Sequence, residues 1–182
     1  MRRTPLGRHL VIAGFLLAMG PAADAQVGRA LSDAPGNAAT VDGSTPLHQA
    51  VRDNDTRTVD ALLKRGANVK ASTRYGVTPI QIAAMNGNAA IVRRLLDAGA
   101  DVNTATPGGE TALMTAARTG KADVLTLLLD RGANVNARET VRGQTALMWA
   151  VSRRHPDIVK VLLENHADVQ ARTGTRQNTD YG

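Results

Sequence analysis

The chain has 182 residues, a formal net charge of +6 and no cysteine. Its length fits one domain of ordinary size, and a disulfide framework or thiolate zinc site is excluded. Aromatics are only 2% against 43% hydrophobic residues, so a core must be built from Leu, Val, Ile and Ala. A modest positive excess favours acidic partners. There is no basic run with interleaved aromatics, so nothing points to nucleic acid.

Residues 1–25 have the make-up of a secretory signal peptide. Arg2, Arg3 and Arg8 form a basic n-region, and Leu10 to Met19 is an uncharged apolar run. Pro21 breaks that run, and Ala23-Asp24-Ala25 offers an A-x-A cleavage site before Gln26. The apolar run would rise only about 15 Å as a helix, half of a hydrocarbon core, so it is too short for an anchor. Cleavage after Ala25 would leave a periplasmic or secreted chain with no membrane contact. The Arg2-Arg3 pair alone does not specify a twin-arginine route, and the general secretory route is the expectation. Residues 26–41 hold Pro35, Gly36 and small residues and read as a linker. Within it, Val27, Ala30 and Leu31 have the spacing of one capping turn.

From there a pattern occurs four times. Threonine opens it at Thr45, Thr78, Thr111 and Thr145, with spacings of 33, 33 and 34 residues. Leucine pairs follow at Leu62-Leu63, Leu95-Leu96, Leu128-Leu129 and Leu162-Leu163, with the same spacings. Such self-similarity predicts a stacked array. Each threonine is placed to cap a short helix, with Pro46 and Pro79 where a missing N–H costs nothing. The first helices turn inward Leu47, Ala50 and Val51; Ile80, Ala83 and Ala84; Leu113, Ala116 and Ala117; Leu147, Ala150 and Val151. Asn54, Gly87, Gly120 and Arg154 then fall at a tight left-handed turn. The second helices carry an i, i+3, i+4 stripe led by Val59, Val92, Leu125 and Val159. Gly66, Gly99 and Gly132 should stop them in the left-handed conformation, and His166 must bear the strain at the fourth stop. Asn68, Asp101, Asn134 and Asp168 recur as turn formers. The loops beyond them should project as fingers, the last of the three connecting loops carrying the extra residue.

These copies resemble ankyrin repeats, since Thr45-Pro46-Leu47-His48-Gln49-Ala50 fits the T-P-L-H-x-A signature. The resemblance implies an all-α solenoid of about four helix–turn–helix repeats with β-hairpin-like finger loops. The repeats are expected at about 42–73, 74–106, 107–139 and 140–171, followed at 172–182 by a flexible tail or the start of a further repeat. It also implies that His48 ties its own threonine to the neighbouring loop, and that Trp149 packs between helices. The last complete copy keeps an apolar stripe, so the C-terminal end should be open: Leu147, Val161 and Leu162 should be less buried than Leu113, Leu127 and Leu128.

No catalytic constellation emerges. His155 and His166 flank a helix and read as caps, and their separation matches no metal-ligand spacing. Glu110 and Glu139 sit on fingers and read as solvated. Gly108-Gly109 lacks the strand and lysine of a phosphate-cradling loop. No enzyme, cofactor or metal is expected. A hydrolase built on His155 or His166 would need a deep pocket beside either.

What remains is a binding face. Positions left free by the fold are Arg74, Tyr75, Val77, Met85, Asn86, Glu110, Arg118, Thr119, Arg142, Gln144, Trp149, Ser152 and Arg153. Resemblance to exported, bacterial ankyrin-repeat proteins implies a non-catalytic scaffold or adaptor. It would bind another protein, with an acidic surface, through its fingers and concave helix face. Self-association through the C-terminal end is a further expectation. The alternative is a recognition or regulatory segment of a longer enzyme or receptor.

Overall fold

The computed structural model describes residues 39–174. The leader, its cleavage site, the turn over 27–31 and residues 175–182 lie outside the described residues. Eight helices occur among those described: α1 Pro46–Arg52, α2 Thr56–Lys64, α3 Pro79–Asn86, α4 Ala89–Asp97, α5 Ala112–Thr119, α6 Ala122–Asp130, α7 Ala146–Ser152 and α8 Pro156–Glu164. Each odd-numbered helix packs on its own even-numbered partner and on the odd helix of a neighbouring repeat. The even helices also touch in succession. No helix among the described residues is long and apolar enough to cross a membrane.

The helices start where the threonines place them. Thr45, Thr111 and Thr145 accept at Oγ1 from the amides of His48, Met114 and Met148. At Thr78 the cap is a reciprocal box with Gln81, whose Oε1 also accepts from the Thr78 amide and hydroxyl. Asn54 and Arg154 have φ of 56° and 58°, and Gly87 and Gly120 of 78° and 75°. His166 stands at φ 62° where Gly66, Gly99 and Gly132 have 78°, 90° and 85°. All eight expected left-handed positions are left-handed.

The core is the row of inward residues from both helix sets. Leu47, Val59, Leu62, Ile80, Leu95, Leu113, Leu125, Leu128 and Leu162 are fully or almost fully buried. Two expectations about the last repeat need correcting. Val151 was expected inward, yet it is 60% exposed, because its counterparts Val51, Ala84 and Ala117 are covered by a following repeat. Conversely, Leu162 is as buried as Leu128, since α7 of its own repeat covers it. Leu147 stays buried at 8% against 1% for Leu113, Val161 is only partly buried where Leu127 is buried, and Leu163 is 43% exposed.

Four finger turns line one edge: finger 1 over 40–44, finger 2 over 73–77, finger 3 over 106–110 and finger 4 over 139–144. Each is closed like a hairpin by a backbone bond, from Thr40 N to Ser44 O, Thr73 N to Val77 O, Thr106 N to Glu110 O, and Glu139 N to Gln144 O. The fourth spans one residue more than the others, which accounts for the spacing of 34. Successive fingers are joined by Arg74 N to Asp42 O and Thr140 N to Gly108 O, and Gly174 N repeats the bond to Arg142 O. Between fingers 2 and 3 the series stops at Pro107, which has no N–H; its ring lies against Gly76 instead.

Candidate functional site: the cleft between fingers 3 and 4

The concave side is built from finger turns and the exposed edge of the odd helices. A hollow of about 440 Å³ lies between fingers 3 and 4. Thr106, Gly108 and Glu110 form one wall, Glu139, Val141, Arg142 and Gln144 the other, and Trp149 from α7 joins them. Gly108 gives the space. Fingers 2 and 4 carry Tyr75 and Val141 on their tips, both well exposed, whereas finger 3 presents a bare backbone there.

Both carboxylates of the cleft are engaged, against the expectation that they would be solvated. Glu110 Oε1 accepts from Arg118 Nη2 at 2.9 Å and Thr115 Oγ1 at 3.0 Å. Glu139 Oε1 accepts from the amides of Arg142 and Gln144 at 2.7 and 3.0 Å, and its Oε2 from Val141 N at 2.6 Å. In fingers 2 and 3 a threonine hydroxyl serves this purpose: Thr73 Oγ1 accepts from Tyr75 N and Val77 N, and Thr106 Oγ1 from Glu110 N. The larger fourth turn needs the reach and second oxygen of a carboxylate. Burial acts to raise the Glu139 pKa, but the three amides and the Arg142 charge outweigh it and hold the group below its usual value.

Trp149 packs partly against the core while its ring also faces the cleft. The guanidinium carbons of Arg118 and Arg153 each lie 5.9 Å from its ring centre, within cation–π range. The implied packing between helices therefore describes only part of its surroundings.

The remaining expected site residues are spread along the edge. Arg74 and Tyr75 pair on finger 2, with the guanidinium 4.8 Å from the ring centre and Nη2 donating to the phenol oxygen. Met85 and Ser152 are exposed on α3 and α7. Three others serve the fold. Val77 packs on the core, Asn86 Nδ2 donates to Val51 O at 2.9 Å, and Thr119 Oγ1 donates to Thr115 O. Asn86 thus ties repeat 2 to repeat 1.

The histidines have structural partners. His48 is fully buried. Its Nδ1 accepts from Thr45 N and Oγ1, and its Nε2 donates to Val77 O at 3.1 Å, which fixes the tautomer. Burial lowers its pKa, partly offset by the Val77 bond. His155 occupies the cap position of α8 without a side-chain cap bond; its ring covers Gly120, and Nε2 lies 3.4 Å from Arg118 O. No group of three or more His, Asp or Glu among the described residues is placed to hold a metal.

Some ties escaped the sequence reading. Asn103 and Asn136 each bridge to the next repeat, through Nδ2 to Gly132 O and His166 O, and through Oδ1 from Asn134 N and Asp168 N. Arg94 meets Asp60 at 2.6 Å and Arg131 meets Asp97 at 2.9 Å. Each pair spans one repeat length, and that spacing of opposite charges was the available signal.

Comparison with known proteins agrees with this architecture. Residues 15–106 and 102–173 match the family model described as ankyrin repeats (3 copies), and the chain belongs to that family. Ankyrin repeats typically mediate protein–protein interaction and are generally non-catalytic. No curated protein matches the chain on its sequence.

Proposed function

We propose that this chain is a non-catalytic binding module that acts outside the cytoplasm and holds a protein partner through its fingers and concave face. The observation that carries the reading is the cleft beside Trp149, an aromatic ring on the open side of the solenoid flanked by arginines. Large amphipathic rings and arginines dominate interface energetics. Export rests on the composition of residues 1–25. The same reading includes self-association through the outer face of α7 and α8.

The test is affinity capture from the cell envelope with the mature chain as bait. An Arg74→Glu, Arg118→Glu, Arg142→Glu variant serves as control. A specific partner should be retained by the wild type and released by the variant; equal capture by both would remove the concave face from consideration. Protein recovered from an extracytoplasmic fraction should begin at Gln26. An intact Met1 terminus on cytoplasmic protein would remove the export reading.

A further inference from the structure

We infer that the cleft between fingers 3 and 4 takes one bulky apolar side chain from an acidic, extended peptide segment of the partner. The inference rests on the concave-face reading above and narrows it to one place and one chemistry.

The shape argument starts from Gly108. Gly109 beside it has φ of +79°, and a Cβ there would come within 2.9 Å of Glu139 Cα and Thr140 N, so glycine is required for the backbone. Gly108 is under no such constraint. It lies outside the left-handed region, and the one atom near an added Cβ is Thr106 Oγ1 at 3.8 Å. A side chain is compatible with this backbone, and its absence leaves the wall of the cleft open opposite Val141. The 440 Å³ so formed lies at the small end of ligand pockets, suited to one anchoring side chain. With Val141 on one wall and Trp149 adjoining, an aromatic or long aliphatic anchor is the complementary occupant.

The charge argument comes from how the ionic groups are already used. Glu110 is paired with Arg118, and the Glu139 carboxylate is saturated by three backbone amides. Arg142 and Arg153 are exposed and have no ion-pair partner within 4 Å among the described residues. Arg142 lies at the cleft mouth, and Arg153 lies beside Trp149. Arg118, Arg142 and Arg153 outnumber Glu110 and Glu139 by one, so the hollow keeps a net positive surround even with the Arg142 charge acting on Glu139, and acidic residues on either side of the anchor complement it.

The chain has one tryptophan, so its emission reports this site directly. Random linear peptides displayed on phage are panned against the full chain, and the enriched ones are resynthesised without tryptophan. The expected peptides are acidic around one aromatic or long aliphatic residue and shift the emission of Trp149. Gly108→Leu, which fills the hollow, and Arg153→Glu, which reverses its charge, should each weaken binding by about tenfold or more. Arg153 is exposed, so its variant keeps the test decisive should Gly108→Leu melt early. Neutral or basic winners would overturn the inference, and so would acidic winners that bind both variants as tightly as the wild type. Peptides lost on Arg74→Glu but indifferent to Gly108→Leu would place the contact on finger 2, sinking the cleft while leaving the concave-face reading intact. An absence of any enriched peptide would also overturn the inference. The capture experiment with the triple variant would then decide the broader reading by itself.

Discussion

Two sets of left-handed residues in this chain look alike in sequence and differ in what surrounds them. At Gly66, Gly99 and Gly132 an added Cβ would meet no atom within 4 Å, so the only cost of a side chain is the backbone conformation, about 1–2 kcal/mol. His166 sits at the fourth such position and bears that cost alone. At Gly87 and Gly120 the Cβ would meet Lys121 Cδ at 2.5 Å and His155 Cε1 at 2.8 Å, because the side chain of the residue just before the next repeat's second helix lies across them. Arg154 is the fourth member of this set, and among the described residues no later repeat lies across it. His166→Gly should therefore stabilise the fold by up to about 1 kcal/mol, the gain reduced by the freer unfolded chain. Gly120→Ala should cost more than Gly132→Ala, since it adds a clash to the strain. Urea unfolding of the three variants checks the order; equal costs for the two alanines would mean that the His155 ring yields freely.

His48 offers a second test at the same scale. Its folded pKa lies below the ordinary 6.5, because burial disfavours the charged form and Arg52 adds to that, while the Val77 bond and Asp42 oppose it. The unfolded chain then binds the proton first. This stabilisation is fully present above about pH 6.5 and declines as pH falls below that toward the folded pKa. Gln81 performs the same tie in repeat 2, with Oε1 accepting from Thr78 N and Nε2 donating to Glu110 O at 2.9 Å. His48→Gln should preserve the fold and flatten the stability profile between pH 6.5 and 5. A wild-type profile that is already flat there would show that His48 is not the titrating group.

At the scale of helices and fingers, stacking decides. Neither helix of a repeat can bury its stripe alone, so stability resides in the interfaces between neighbours. Leu128 on α6 is fully enclosed, and Leu128→Ala should cost about 2–5 kcal/mol. A loss under about 1 kcal/mol in chemical denaturation would contradict this packing. The periodic elements were legible in the sequence for a physical reason: every repeat solves the same problem, so caps, stripes, left-handed stops and the Asn and Asp turns recur in register. Asn68, Asp101, Asn134 and Asp168 each accept at Oδ1 from the amide two residues on, as that recurrence implied. The cleft was less legible because departures from the repeat shape it. Its hollow comes from a side chain missing at Gly108. Its far wall is a finger with one extra residue, and the carboxylate that ties that finger is spent on amides that no periodicity reveals. Asn86 looked free by position and proved to be a tie between repeats, which depends on where Val51 O lies in space.

Among the described residues the two ends of the array are built differently, and this bears on assembly. In repeats 2 to 4 the position facing the preceding repeat is Ile91, Val124 or Ile158, all buried. In repeat 1 the corresponding residue is Thr58, whose hydroxyl donates to Asp55 Oδ2 at 2.6 Å. The other end stays apolar. Val151 is 60%, Leu163 43% and Val169 66% exposed, and Val159 is only partly buried where Leu125 is enclosed. Adjoining apolar surface of this kind on a soluble protein marks a contact or an aggregation risk. A head-to-tail filament would press this face against the polar end of another copy, a poor match. Two copies meeting by the same face would bury apolar surface on both sides and close as a two-fold dimer. The expected outcome is a rise in mass with concentration by light scattering, saturating at twice the monomer. Val151→Asp should suppress it without lowering the melting temperature of the monomer, because Val151 contributes little burial within one chain. Hydrogen exchange on dilute monomer should show residues 145–169 less protected than residues 111–135, with the difference shrinking as the dimer forms. A mass that stays monomeric at high concentration, or growth that does not saturate, would overturn the two-fold arrangement, since the first requires no contact and the second a face that does not close on itself.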